Sequence, residues 1–264
     1  MSIARELAQT GRGPLLRSVA RIVGGSDLHT HIRVRPLVQH LSVLLPKGPV
    51  RVVECGCGPG VNVFEIAKLN RSAVIEGYDL DSGAIEFGKL VKQEFFCDRA
   101  IELRCADVTQ LGSRPGAYDC VLLMDVLEHI ADDGHLARWA TQALATGGLL
   151  CVSVPTPKYS RVFGLEFHRQ IGHLRPGYTL PELRALFPAL QLAGAWYNTG
   201  LIAQLGCRLY YRHLRKIRSR VLRAPLALLL RLLFAGTDWP NSAERSCSLF
   251  AIFTKPPLAT GNAL

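Results

Sequence analysis

Residues 52–60 read Val-Val-Glu-Cys-Gly-Cys-Gly-Pro-Gly, an apolar strand that runs straight into an acidic, glycine-studded turn. Glycines at alternate positions, Gly56, Gly58 and Gly60, let the backbone pass close to a ligand, because a residue without Cβ reaches positive φ without strain. The next residues, Val61-Asn62-Val63-Phe64-Glu65-Ile66-Ala67, start a helix, so its N-terminal amides and dipole point at whatever the loop holds. A strand, a glycine loop and a helix in this order form the nucleotide-cradling unit of open α/β sheets. The loop alone is a weak signal, and its meaning rests on what accompanies it.

Further along, short apolar runs end in acids. Ala73–Tyr78 leads into Asp79, Ile101–Ala106 into Asp107 and Tyr118–Met124 into Asp125. All of these acids fall at the carboxyl ends of predicted strands, where open parallel sheets bind ligands. Asp79 lies one half-unit beyond the loop and suits ribose hydroxyls. At this point the chain resembles the class I S-adenosylmethionine (SAM)-dependent methyltransferases. Their Glu-x-Gly-x-Gly-x-Gly motif matches at Glu54, Gly56, Gly58 and Gly60, and their ribose-binding acid at Asp79. The adenine-side Ala-Asp matches at Ala106-Asp107, and the post-strand segment at Met124–His129. The resemblance covers roughly residues 45–195, and several ordered motifs are far more specific than one. It implies that Glu54 and the three glycines surround the methionine end of SAM, and that Asp79 and Leu80 meet the ribose. It also implies that Asp107 and Val108 flank the adenine, with Met124 and Asp125 under the sulfonium. A dinucleotide-binding Rossmann domain is the rival reading. Its third glycine would fall one position later, and Glu54 would repel a pyrophosphate while suiting an ammonium and a sulfonium.

Strands at 50–55, 73–79, 101–106, 118–124 and 148–154 alternate with helices near 61–70, 82–96 and 132–145. That alternation predicts a parallel sheet with right-handed crossovers. Gly147-Gly148 is read as the stop of the last helix. Thr179-Leu-Pro-Glu182 is a capping box that starts a helix over Leu180–Phe187. Leu190–Tyr197 and Ser246–Thr254 fit the antiparallel pair that closes the class I fold. The expected architecture is therefore α/β, a seven-stranded Rossmann-like methyltransferase sheet. An N-terminal helical cap (1–48) precedes the SAM-binding core (49–197). A basic, Leu-rich helical insertion (198–245) precedes the last strand and tail (246–264).

The chain of 264 residues carries a net charge of +10, and the excess is concentrated. From Leu183 to Thr237 there is no acid, while Arg or Lys recurs at 184, 208, 212, 215, 216, 218, 220, 223 and 231, with leucines and tyrosines interleaved. Such a segment suits peripheral contact with a membrane surface through 208–235, or a helix pair packed over the substrate cleft. Its apolar runs are too short and too charged to span a bilayer. Nucleic acid is the weaker reading, because phosphate binding does not need leucine. The eight cysteines include no Cys-x-x-Cys pair, which suits a reduced, cytoplasmic protein with structural thiols. The N-terminus reads as no secretory signal.

Methyl transfer from a sulfonium to a hydroxyl needs an aligned acceptor and a group that removes its proton. His129, after the fourth strand, and His173, in the segment after the fifth, are the candidate bases, with Tyr159 and Tyr178 shaping the acceptor pocket. Asp125, Glu128 and His129 stand at i, i+3 and i+4, so on a helical turn they would share a face. The trio resembles the Glu-x-x-Glu-His that binds a divalent metal in ubiquinone-pathway O-methyltransferases and in small-RNA 2′-O-methyltransferases, where His173 would match a later histidine. Asp125 replaces the first glutamate, so a metal is the lesser reading and its ligands are left open. The Asn/Asp-Pro-Pro-Tyr/Phe motif of amino-group methyltransferases does not follow the fourth strand. The expected acceptor is therefore a hydroxyl or carbon of a small, apolar or lipid-linked molecule. The alternatives are an RNA 2′-O-methyltransferase and a catalytically silent assembly subunit, and the intact glycine loop and ribose acid weigh against the second.

Overall fold

In the computed structural model the described residues are 28–217, 226, 229–230, 233–234 and 242–257. The predicted cap before residue 28, much of the basic segment between 218 and 241, and the tail from 258 lie outside them. In chain order the elements are α1 (Leu28–Leu44), β1 (Arg51–Cys55), α2 (Val61–Leu69), β2 (Val74–Asp79), α3 (Ser82–Phe95) and β3 (Ala100–Cys105). Then come β4 (Tyr118–Met124), α4 (Asp133–Ala143), β5 (Leu144–Pro155), α5 (Lys158–Phe163), α6 (Leu165–Gln170) and α7 (Leu180–Leu186). The last elements are β6 (Gln191–Asn198), α8 (Leu201–Arg212) and β7 (Ser248–Thr254). Short 3-10 turns cover Val108–Gln110 and Leu127–His129.

The seven strands form one sheet in the order β3-β2-β1-β4-β5-β7-β6. β1 through β5 pair in parallel, and β7 runs antiparallel between β5 and β6. This is the predicted sheet. Central parallel strands are covered on both faces, which is why β4 is apolar but for Asp119 and β1 is buried but for Arg51. On one face Leu37 and Leu41 of α1, Val63 and Ile66 of α2 and Ile85 of α3 pack on Val52, Leu122, Cys151 and Ile252. On the other, Leu136 and Ala140 of α4 and Leu183 of α7 pack on Val53, Val121, Val152 and Phe253. From β1 the chain builds outward to β2 and β3, then returns to lay β4 on the opposite side. A sheet that reverses direction in this way opens a crevice at the carboxyl ends of the two strands flanking the reversal, here β1 and β4.

Side-chain caps begin the helices where the sequence suggests them. Asp81 accepts from Ala84 N at 3.0 Å, Asp132 accepts from His135 N at 2.8 Å, and the Thr179–Glu182 capping box is complete. One stop is different. α4 ends at Ala143, before the glycine pair, because Lys255 Nζ donates to the carbonyls of Thr141 (2.9 Å) and Leu144 (2.7 Å). Gly147 and Gly148 lie in a bulge of β5, between the Tyr118–Leu144 and Cys120–Leu149 pairings, with Gly147 at φ 76°.

Gly88 shows how tightly α3 is drawn onto the glycine loop. A Cβ there would lie 2.9 Å from Pro59 O and 2.6 Å from Leu103 Cδ1, and the backbone oxygen has nowhere to go. Gly88→Ala is expected to cost about 2 kcal/mol by overpacking, read as a lower urea midpoint at unchanged slope, with weakened cofactor binding.

Candidate active site

The loop after β1 is held by the end of β2. Gly56 N and Cys57 N donate to Tyr78 O at 2.8 and 3.0 Å, and Gly58 N donates to Asp79 Oδ2 at 2.6 Å. Gly56 (φ 75°) can only be glycine, since a Cβ would meet Val126 Cγ2 at 2.8 Å. Gly58 (φ 52°) faces open space, with nothing within 4 Å of a built Cβ. Gly60 leads into the first turn of α2. Beneath the loop, Glu54 is fully buried. Asn62 Nδ2 donates to its Oε1 at 2.6 Å, while Oε2 has no hydrogen-bond partner among the described residues. Burial pushes the Glu54 carboxyl up to about 8, against the pull of the Asn62 hydrogen bond.

The other residues expected around a cofactor border the same crevice. Asp79 Oδ1 accepts from Asp81 N at 2.8 Å, and Leu80 is exposed. Asp107 caps the Val108–Gln110 turn, accepting from Thr109 N and Thr109 Oγ1, and the Thr109 hydroxyl holds its carboxyl below the usual range. Val108 and Met124 are buried. These residues fit the implied SAM: the orphaned Glu54 oxygen suits an ammonium, and the bare Gly58 leaves room for a ligand against the backbone.

The second half of the site follows β4, and here the helical-turn expectation is corrected. Asp125 does not share a face with Glu128 and His129, because it sits at φ 59°, outside the turn that starts at Leu127. Its carboxylate accepts from Ser153 Oγ (2.9 Å) and pairs with Arg33 of α1. Glu128 and His129 instead meet His173, and one ligating atom from each lies within 4.8 Å of the others. Glu128 is buried, and neither carboxylate oxygen accepts a hydrogen bond among the described residues. Burial raises its pKa, against the pull of Arg33 and then Arg175.

Hydrogen bonding to carbonyls assigns the tautomers. His129 Nδ1 lies 3.1 Å from Gly172 O, so Nδ1 carries the proton and Nε2 the lone pair. His168 Nε2 lies 2.7 Å from Arg175 O and donates there, which leaves its Nδ1 to accept from His173 Nδ1, 3.1 Å away. The His173 lone pair is then on Nε2, 3.9 Å from Glu128 Oε1. On these tautomers two imidazole lone pairs face a buried carboxyl group whose proton burial holds more tightly. Burial lowers the His129 pKa, so the ring is neutral near pH 7.

A clamp holds the segment 171–178 over this cluster. Arg175 donates to Asp133 Oδ2 (2.5 Å) and to the carbonyl of Ile130 (2.8 Å), Tyr178 Oη donates to Asp133 Oδ2 (2.8 Å), and Leu174 N donates to Glu128 O (2.9 Å). Tyr159 lies against the His173 ring, with centroids 5.6 Å apart. Arg33 and Arg175 escape a reading of sequence, since nothing in their local pattern distinguishes them from surface residues. Asn62 could have been found, as the polar residue in the first turn after the loop.

Fold and crevice together define a class I SAM-dependent methyltransferase. A family model described as a methyltransferase domain matches residues 28–203, and the chain belongs to that family. Among curated proteins, an uncharacterised protein of a Synechococcus strain is 35% identical over 40% of this chain and 26% of its own length. Ubiquinone biosynthesis O-methyltransferases of Xanthomonas euvesicatoria and Bradyrhizobium diazoefficiens are 28% and 31% identical, over 62% and 40% of this chain and 67% and 40% of theirs. The chain thus spans between a quarter and about two-thirds of these relatives. Among solved structures, the [4+2]-cyclase SpnF has a TM-score of 0.60 at 18% identity, over 85% of this chain and 80% of that one. The geranyl diphosphate C-methyltransferase of Streptomyces coelicolor, in complex with S-adenosylhomocysteine and Mg2+, has a TM-score of 0.60 at 13% identity, over 84% and 76%. These structural likenesses establish the fold alone.

The buried Glu54 carboxyl, largely protonated at pH 7, must ionise to meet a ligand ammonium. Its folded-state value of about 8 means that affinity for S-adenosylhomocysteine should tighten as pH rises from 6 toward 8 and then level off. Titration at pH 7 in buffers of different ionisation enthalpy should show about one proton released per site, and none with Glu54→Gln.

Proposed function

We propose that this protein transfers the methyl group of SAM to a hydroxyl oxygen of a small apolar molecule, with His129 as the base. The observation that carries the reading is the fixed tautomer of His129. Its Nδ1–H is engaged by Gly172 O, and its Nε2 lone pair sits beyond β4, beside the strand that leads into the glycine loop. Bound SAM supplies an electrophilic methyl group on its sulfonium. Glu54 would hold the ammonium of its methionine end and Asp79 the ribose hydroxyls, with Met124 and Asp125 on the side of the reacting centre. His129 Nε2 would take the proton of the acceptor hydroxyl as that oxygen receives the methyl group. Arg175, Tyr178 and Asp133 keep the roof closed against water.

Support for an apolar acceptor comes from Tyr159, which lies between His173 and Phe163, the latter packed on the apolar cluster of Ile32, Ala203 and Cys207. The curated relatives' names point to acceptors in ubiquinone biosynthesis. His129→Ala should lower kcat by about 10²- to 10⁴-fold while S-adenosylhomocysteine affinity holds. Full activity in that variant, measured by methyl transfer to a panel of phenols, would exclude the base.

The orphaned carboxyl of Glu128 favours a second reading, in which a divalent cation held by Glu128, His129 and His173 occupies the His129 Nε2 lone pair and replaces that imidazole as the base. Two imidazoles and a carboxylate suit a transition metal better than Mg2+, and three ligands leave positions open for the acceptor oxygen. Such a cation would act as a Lewis acid on the hydroxyl. Elemental analysis of purified protein should then find about one metal per chain, lost in Glu128→Gln. A chelator should abolish turnover and spare cofactor binding. Metal-free protein with full, chelator-insensitive activity would leave His129 as the base alone.

A further inference from the structure

α8 presents two unlike faces. Inward, Ala203 and Cys207 pack with Ile32 of α1, and Gln204 Nε2 donates to Thr199 O (2.8 Å) and Arg245 O (2.6 Å), so the helix is pinned in rotation. Outward, Leu201, Ile202 and Leu205 are each more than half exposed, and Leu209, Arg208 and Arg212 are exposed beside them. At 100° per residue these side chains share about 120° of the helix circumference. The helical residues after it repeat the division. Leu226, Leu229 and Leu233 are exposed, while Leu230 and Phe234 pack inward on the same cluster as Ala203 and Cys207. No acid occurs anywhere from 183 to 237, against nine Arg or Lys.

We infer that this face docks on an anionic lipid bilayer surface, with the leucines entering the headgroup boundary and the arginines reaching lipid phosphates. Apolar side chains and cations alternate on one face, so the occupant must supply apolar contact and negative charge together. Phospholipid offers both, and arginine stems lie along apolar surface while their heads reach for phosphate. A second copy of the chain does not suit the face. A twofold contact would set Arg208 and Arg212 against their own kind in a segment that carries no acid from 183 to 237, and interface cores are depleted of charge. Nucleic acid supplies the charge without the apolar layer. Among the described residues no helix is long and apolar enough to cross a membrane, so the contact would be peripheral. α8 packs on α1, whose Arg33 reaches Asp125, so the docked surface borders the site. The inference stands on this face alone and survives failure of the methyl-transfer reading.

The test is flotation of the full chain with vesicles of phosphatidylcholine, alone or with about a third phosphatidylglycerol. The expected result is binding to the anionic vesicles, at least about tenfold weaker on phosphatidylcholine alone and in about 0.5 M salt. Ile202→Glu with Leu205→Glu should cut binding at least about tenfold, with thermal stability and S-adenosylhomocysteine affinity unchanged because both positions face outward. Arg208→Gln with Arg212→Gln should remove most of the lipid-charge preference. Absence of binding to anionic vesicles would overturn the inference. So would binding undiminished by the glutamates, or a dimer in solution that the glutamates dissociate.

Discussion

Three backbone N–H groups of the glycine loop converge on the last two residues of β2, with Gly56 and Cys57 donating to Tyr78 O and Gly58 to Asp79. Much of the cofactor half depends on this junction. It ties the loop to the neighbouring strand, so the loop's open side faces the crevice, and it aims the start of α2 at the same space. It also orients the Asp79 carboxylate through a loop amide. Gly56 permits the fit because Val126, on the far side of the crevice, leaves no room for a Cβ. The two sides of the sheet reversal are thus in contact through that glycine.

Two carboxylates have been taken out of water without a full set of donors. Glu54 has Asn62 on one oxygen and nothing on the other, and Glu128 accepts no hydrogen bond among the described residues. A buried carboxylate without donors is costly, and both respond by holding their protons more tightly. Groups of this kind persist where a ligand completes them. Glu54 lies under the loop and Glu128 under the roof, so the crevice has one incomplete anion at each end.

The roof itself is an electrostatic assembly. Asp133, at the start of α4, gathers Arg175 and Tyr178, and Arg175 also meets the carbonyl that follows the His129 turn. Because the clamp bonds backbone carbonyls as well as a side chain, it sets the path of the chain between α6 and α7. Gly177 lets that path lie flat on β5, at φ 130°, where a Cβ would be 2.4 Å from Pro155 O. A [4+2]-cyclase shares the fold, so the sheet by itself does not specify a reaction.

Strand–loop–helix order and the acids at strand ends were legible in the sequence, because they depend on periodicity and on glycine, signals local to a few residues, while the closing antiparallel pair was implied by the family resemblance. The sequence also placed His129 and His173 among the candidates by chemistry alone. It could not show that Asp125 would leave its neighbours, since that turns on a positive φ and on Arg33 arriving from α1. Nor could it show that Lys255, just past the last strand, would close α4 ahead of the glycine pair. The histidine tautomers, the orphaned Glu128 and the outward face of α8 were likewise decided by tertiary structure. Each depends on which distant groups supply hydrogen bonds and which leave a side chain in water, and spacing along the chain does not encode that.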